Sequence, residues 1–118
     1  MSAFKIAIRL AAIAALFLVA PVQATGSDTR AMLDFNSCAK PHYPAESLAA
    51  KHQGVVDLSF LVDANGVAQD AKIVKSSGHD LLDVAARDAI KLCKFVPAKK
   101  DGQYVETWAK IQYVWTLK

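Results

Sequence analysis

Cysteine is scarce in these 118 residues: Cys38 and Cys93 are the only two, so at most one bridge can form within the chain. No C-x-x-C pair or neighbouring base pattern is present to activate either thiol. Four prolines (Pro21, Pro41, Pro44 and Pro97) are too scattered to make a proline-rich tract, and no repeat, low-complexity segment or internal linker is visible. Three histidines, His42, His52 and His79, lack the short spacing of metal ligands and read as solvated or turn residues. Charge of either sign is also limited: 14 Lys and Arg against 11 Asp and Glu leave +3. That balance gives no support for binding to nucleic acid or to anionic lipid. Length alone excludes a multidomain enzyme, while 53% apolar content and 21% charge exclude a disordered chain.

What is present begins with an export pattern. Lys5 and Arg9 precede an uninterrupted apolar run over residues 10–20, and Val22-Gln23-Ala24 places small residues where a signal peptidase cuts. The run is shorter than the roughly 20 apolar residues that span a bilayer core. Residues 1–24 are therefore expected to be a signal peptide, with an uncleaved inner-membrane anchor as the alternative. Cleavage leaves 94 residues carrying 12 basic and 11 acidic groups, a nearly neutral domain with no integral membrane span. In an exported small domain, two cysteines read as one structural disulfide, Cys38 to Cys93, against the competing reading of a reactive thiol.

Residues 25–37 read as a flexible leader and residues 38–118 as the domain. Pro41-His42-Tyr43-Pro44 stiffens the entry, and Pro44 suits the first turn of a short helix over 45–52. Period-two alternation follows from Val55, with Val56, Leu58, Phe60 and Val62 on one face. Asp63-Ala64-Asn65-Gly66 turns the chain into a second strand over 67–75. Asp80 is placed to cap a helix that puts Leu82, Ala85, Ala86, Ala89, Ile90 and Cys93 on one face, with Asp83 in its first turn. Pro97 ends that helix, and Lys99-Lys100-Asp101-Gly102 reads as a solvated turn. From Val105 to Leu117 alternation returns as one long strand, buried on one side. The order helix, strand, strand, helix, strand predicts an α+β fold: a three-stranded antiparallel sheet packed on two helices.

Taken in order, several pieces resemble the C-terminal domain of the TonB family of bacterial energy transducers. They are Pro41-His42-Tyr43-Pro44, Gly54-Val55-Val56, Asn65-Gly66-Val67, Ser76-Ser77-Gly78 with Leu82-Asp83-x-Ala85-Ala86, Phe95-x-Pro97-Ala98, Asp101-Gly102, and the strand carrying Trp108. The resemblance covers residues 38–117. It implies a periplasmic domain that binds N-terminal segments of outer-membrane receptors by β-strand addition in TonB-dependent transmembrane transport. It also implies where: Lys40, Pro41, His42, Tyr43 and Pro44 at the entry, and Glu106, Trp108, Lys110, Gln112 and Val114 along the last strand. Well-known members carry glutamine where this chain has Lys40, and a lysine donates hydrogen bonds but accepts none. The family's long proline-rich spacer is not expected here, since Pro41 and Pro44 belong to the domain and Pro21 to the export pattern, and a membrane anchor is expected only if that export segment stays uncleaved. The 20 residues from Pro21 to Lys40 reach at most about 70 Å fully extended, so a free module is expected in place of a complete energy transducer.

Other candidates have simpler readings. Ser76, Ser77, His79 and Asp80 suggest a helix cap before they suggest nucleophilic chemistry, and Asp57 with Asp63 forms no paired-carboxylate site. Trp108 interrupts the polar face of the last strand, either packed under the entry loop or as a ledge for a partner strand. No enzyme constellation, cofactor or metal site is expected. The alternative to a receptor-binding module is an envelope structural module that pairs with itself as a homodimer or binds peptidoglycan.

Overall fold

The computed structural model describes residues 28–117, so the expected signal peptide lies outside the described residues. In chain order the elements are β1 (Met32–Leu33), a 3-10 turn (Phe35–Ser37), α1 (Ala45–Ala49), β2 (Gly54–Val62), β3 (Ala68–Lys75), α2 (Asp80–Lys91), β4 (Phe95–Val96), β5 (Ala98–Lys100), β6 (Gln103–Val105) and β7 (Thr107–Trp115). The main sheet is antiparallel with order β3-β2-β7, so the last strand lies at an edge beside the first long one. The α+β architecture of three strands and two helices is thus the one the alternation and helical spacing predict. Two small ribbons, β1-β4 and β5-β6, are added to it.

One face of the sheet makes the core. Val56, Leu58, Phe60 and Val62 of β2 and Ala109 and Trp115 of β7 are buried against Leu82, Ala86 and Ile90 of α2. The intervening β2 and β7 residues point to the other face, where Lys110 lies opposite Ser59 and Trp108 opposite Leu61. No helix of the described residues is long and apolar enough to cross a membrane.

The structure departs from the sequence expectations at five points. Residues 28–37 are paired to the domain: Thr29 exchanges two 3.0 Å backbone hydrogen bonds with Lys99, and Met32–Leu33 pairs with Phe95–Val96. Ala31 and Leu33 pack on the core, which ties this segment down although two-residue strands leave no periodic signal. α1 ends at Ala49, three residues early, because Lys51 takes a left-handed φ of 59°. His79, not Asp80, is the N-cap residue of α2, and its side chain makes no capping bond. The expected long strand from Val105 is broken at Glu106, because Gln103–Val105 turns back on Ala98–Lys100 through Asp101-Gly102. Both of those turn residues have positive φ, 53° and 81°, the backbone that a two-residue hairpin with matching strand twist requires. Lastly, Lys99 and Lys100 belong to that ribbon and are not part of a loose loop.

Asp83 does more than complement the helix dipole. Its buried carboxylate accepts hydrogen bonds from the Ser76 hydroxyl, from the Ser77 hydroxyl at 2.7 Å and from the Ser77 backbone N–H at 2.8 Å, fastening the end of β3 to α2. Burial pushes this carboxyl up, but the serine donors and the nearby His79 outweigh it and hold it below the ordinary 3.8. A carboxyl more acidic folded than unfolded stabilises the fold above the unfolded value, and that contribution is lost as pH falls through the lower folded one. Asp83→Asn is therefore expected to cost about 2 kcal/mol at neutral pH by weakening acceptors that three donors need. Its stability should also vary less with pH below 3.8 than the parent's. Urea unfolding at pH 7 and pH 3 checks both.

Candidate functional site

β7 pairs with β2 on one side only; its other edge carries no partner strand in the main sheet. On an edge strand, alternate backbone N–H and C=O groups point outward and are open to pairing. Cavities line that edge. A groove of about 1300 Å³ touches Thr107, Trp108, Ala109, Lys110 and Ile111 on one side, and Asp28 to Leu33 with Phe35 on the other. A second hollow of about 320 Å³ touches Tyr113, Val114, Trp115 and Thr116, with Lys40, Pro41, His42 and Tyr43 opposite. Consecutive residues of a strand point to opposite faces of its sheet. Trp108 and Lys110 on one face and Ala109 and Ile111 on the other can line one groove only if it runs along the strand's edge. Between the two lies an apolar hollow of about 320 Å³ walled by Leu33, Phe35, Pro41, Ile90 and the Cys38–Cys93 bridge. Together they form a track beside nine strand residues, about 30 Å long at 3.4 Å per residue.

The entry motif is built against this track by packing. The Tyr43 ring meets Trp115 edge-on at 4.8 Å, Tyr113 meets Trp115 at 4.9 Å, and the Tyr43 hydroxyl donates to the His52 carbonyl. Edge-to-face aromatic pairs of this kind favour one relative placement, so Pro41 and His42 are held beside the end of β7. Burial pushes the Tyr113 hydroxyl up. Cys38 and Cys93 are joined with Cα atoms 4.9 Å apart, which fixes the start of the motif to the end of α2. Behind it, His52 and His79 stack at 3.9 Å and are half-buried, where the sequence suggested solvated or turn residues.

The structure brings most of the expected residues to the edge, but not all. Lys40, Pro41, His42, Tyr43 and Val114 line the hollow near Trp115, and Trp108 and Lys110 line the groove. Pro44 is instead the N-cap residue of α1. Glu106 is exposed at the break before β7. Gln112 donates to Asp57 at 3.0 Å across the open sheet face. Trp108 does not pack under the entry loop: it is 41% exposed, with the Lys72 ammonium 4.3 Å above its ring. Sequence reasoning missed Arg30, Leu33 and Phe35, which lie in the segment read as a leader, and Tyr113, whose place on the buried face concealed its reach to the edge. Among the described residues no cluster of His, Cys, Asp or Glu is arranged to hold a metal.

Known proteins of similar sequence and fold bear on this edge. The family model for the Gram-negative bacterial TonB protein C-terminal matches residues 39–117. Protein TonB of Haemophilus influenzae is 35% identical over 89 residues, covering 70% of this chain and 33% of that protein. Protein tonB2 of Pseudomonas aeruginosa is 37% identical over 71 residues, covering 60% of this chain and 26% of that one. The chain thus spans a third or less of the length of these relatives. Among solved structures, the solution structure of the Pseudomonas aeruginosa TonB CTD superposes with a TM-score of 0.58 at 21% identity, over 78% of this chain and 86% of that one, a likeness of fold. The tonb2 protein from Vibrio anguillarum gives 0.51 at 27% identity, over 87% and 98%. The family match covers the sheet, α2 and the entry motif together, and the chain belongs to the TonB C-terminal family.

Proposed function

We propose that this domain is a periplasmic binding module that receives an extended peptide segment as an added strand on β7, the segment being the N-terminal part of an outer-membrane receptor in TonB-dependent transport. The observation that carries the reading is the line of cavities along the unpaired edge of β7, touched by successive residues of both faces. Main-chain hydrogen bonds supply affinity in this mode, and side-chain hollows beside the strand supply selectivity. Family membership supports the class of partner, and the expected signal peptide supports the compartment. The reading is of binding and not of catalysis.

Proline scanning tests it. In an antiparallel edge strand, neighbouring residues point their N–H groups in opposite directions, so one of Ile111→Pro and Gln112→Pro removes an outward donor and the other a bond to β2. The variant that stays folded is expected to lose about tenfold in affinity for receptor N-terminal peptides, one main-chain bond's worth, measured by isothermal titration. Unchanged affinity in a folded variant would contradict strand addition there. Size that rises with protein concentration would instead place a second copy on this edge, and co-sedimentation with peptidoglycan would point to an envelope structural role.

A further inference from the structure

The groove beside Trp108 is not neutral. Residues 28–117 as a whole are balanced, with 11 Lys and Arg against 11 Asp and Glu. Yet Arg30, Lys99, Lys100 and Lys110 all line this one groove, and the only acid lining it is Asp28. The Asp28 carboxylate already accepts the Asp101 backbone N–H at 2.9 Å. Among the described residues no carboxylate lies within ion-pair distance of any of the four cations; the ion pair that does form, Arg87–Asp88, is on α2. Lys99 rests its ammonium 5.0 Å over the Tyr104 ring, which leaves its charge uncompensated.

These cations are held by backbone and not left on a loose tail. Thr29 is bonded twice to Lys99 and Met32 is paired with Val96, so Arg30 is pinned on both sides along the wall that faces β7. Lys99 and Lys100 stand on the β5-β6 ribbon, and Lys110 on β7 itself. A strand entering this groove meets positive charge from both walls.

We infer that the segment received at β7 carries acidic side chains along the stretch beside Trp108 and Lys110, and that Arg30, Lys99, Lys100 and Lys110 select it. The inference rests on the strand-addition reading of β7 and gives its partner a chemistry. Arg30 becomes a specificity residue on a segment the sequence alone marks as a leader.

The test uses the full chain, its Arg30→Glu and Lys100→Glu variants, and synthetic ten-residue β-forming peptides. One peptide is uncharged, two carry a pair of glutamates in either half, and one carries lysines in place of the glutamates. Isothermal titration at low and high salt reads the affinities. One glutamate peptide is expected to bind about tenfold tighter than the uncharged one at low salt, from complementary charge at close range. That gap should narrow at about 0.5 M salt, where screening shortens to a few ångströms. Arg30→Glu should erase the preference and improve binding of the lysine peptide; both variants replace exposed side chains, and circular dichroism checks their fold. Equal, salt-independent affinities for glutamate and uncharged peptides would overturn the inference while leaving strand addition standing. No binding by any peptide would overturn both.

Discussion

Breaking the Cys38–Cys93 bridge is expected to lower the unfolding free energy by about 4 kcal/mol. The bridge spans a sequence separation of 55, so it closes most of the domain into one loop. In the chain-entropy account that closure acts mainly on the unfolded state, which loses the conformations a free chain would explore. A domain of about 90 residues has a modest core, so a contribution of this size is a large share of its stability. There is a local effect as well. Cys93 is buried just past the end of α2, and Cys38 stands two residues before Lys40. Opening the bridge frees the start of the entry motif and one wall of the apolar hollow shared with Pro41 and Tyr113. The Cys38→Ser/Cys93→Ser variant and the reduced parent should give matching urea curves, both well below the oxidised parent. A loss under about 1 kcal/mol in both would contradict the entropic account.

Gly66→Ala is expected to cost about 3–5 kcal/mol, in the range that marks a backbone or packing conflict and not an ordinary surface change. Gly66 is buried in the turn between β2 and β3 with φ at 84°, a left-handed conformation that a Cβ disfavours. Space is the greater obstacle. A Cβ built there would lie 2.1 Å from the Phe95 carbonyl oxygen, a backbone atom with little freedom to move. Movement is further restricted because the Phe95 N–H donates to the Gly66 carbonyl at 2.9 Å, and Val67 forms a bridge with Lys94. The hairpin tip is clamped on β4, and β4 in turn holds β1 and the wall of the groove. Gly102→Ala isolates the conformational part: φ is 81° there, but no atom lies within 4 Å of the added carbon. It should cost only about 1–2 kcal/mol, the conformational share. Equal losses at the two sites would show that the close approach to Phe95 does not matter.

The parts of this fold that repeat a period were legible in the sequence. Alternation over Val56 to Val62 and over Val105 to Leu117 marked both long strands and their buried faces, the second being shorter in the structure at Thr107–Trp115, and helical spacing from Leu82 to Cys93 marked α2. Elements of two or three residues were not legible, because β1, β4, β5 and β6 are stabilised by the partners they meet and not by their own pattern. That is why residues 28–37 read as a leader, and why half of the groove went unseen with them. Asp83 shows a related limit. Its place in the first turn of a helix was visible, but the two serines it binds arrive from the end of a neighbouring strand. At the edge of β7 the strand itself and the entry motif were readable. The opposing wall was not, since it depends on how Thr29 and Met32 are paired in space.

An NMR titration of the labelled full chain with receptor N-terminal peptides tests strand addition most directly. Amide shifts should concentrate in Thr107 to Thr116, in Lys40 to Tyr43 and in Thr29 to Phe35, the three stretches that wall the track. Outward-facing β7 amides should also gain protection from hydrogen exchange as they pair with the added strand. Shifts confined to α2 or to the β3 side of the sheet, or none at millimolar peptide, would contradict a binding edge at β7.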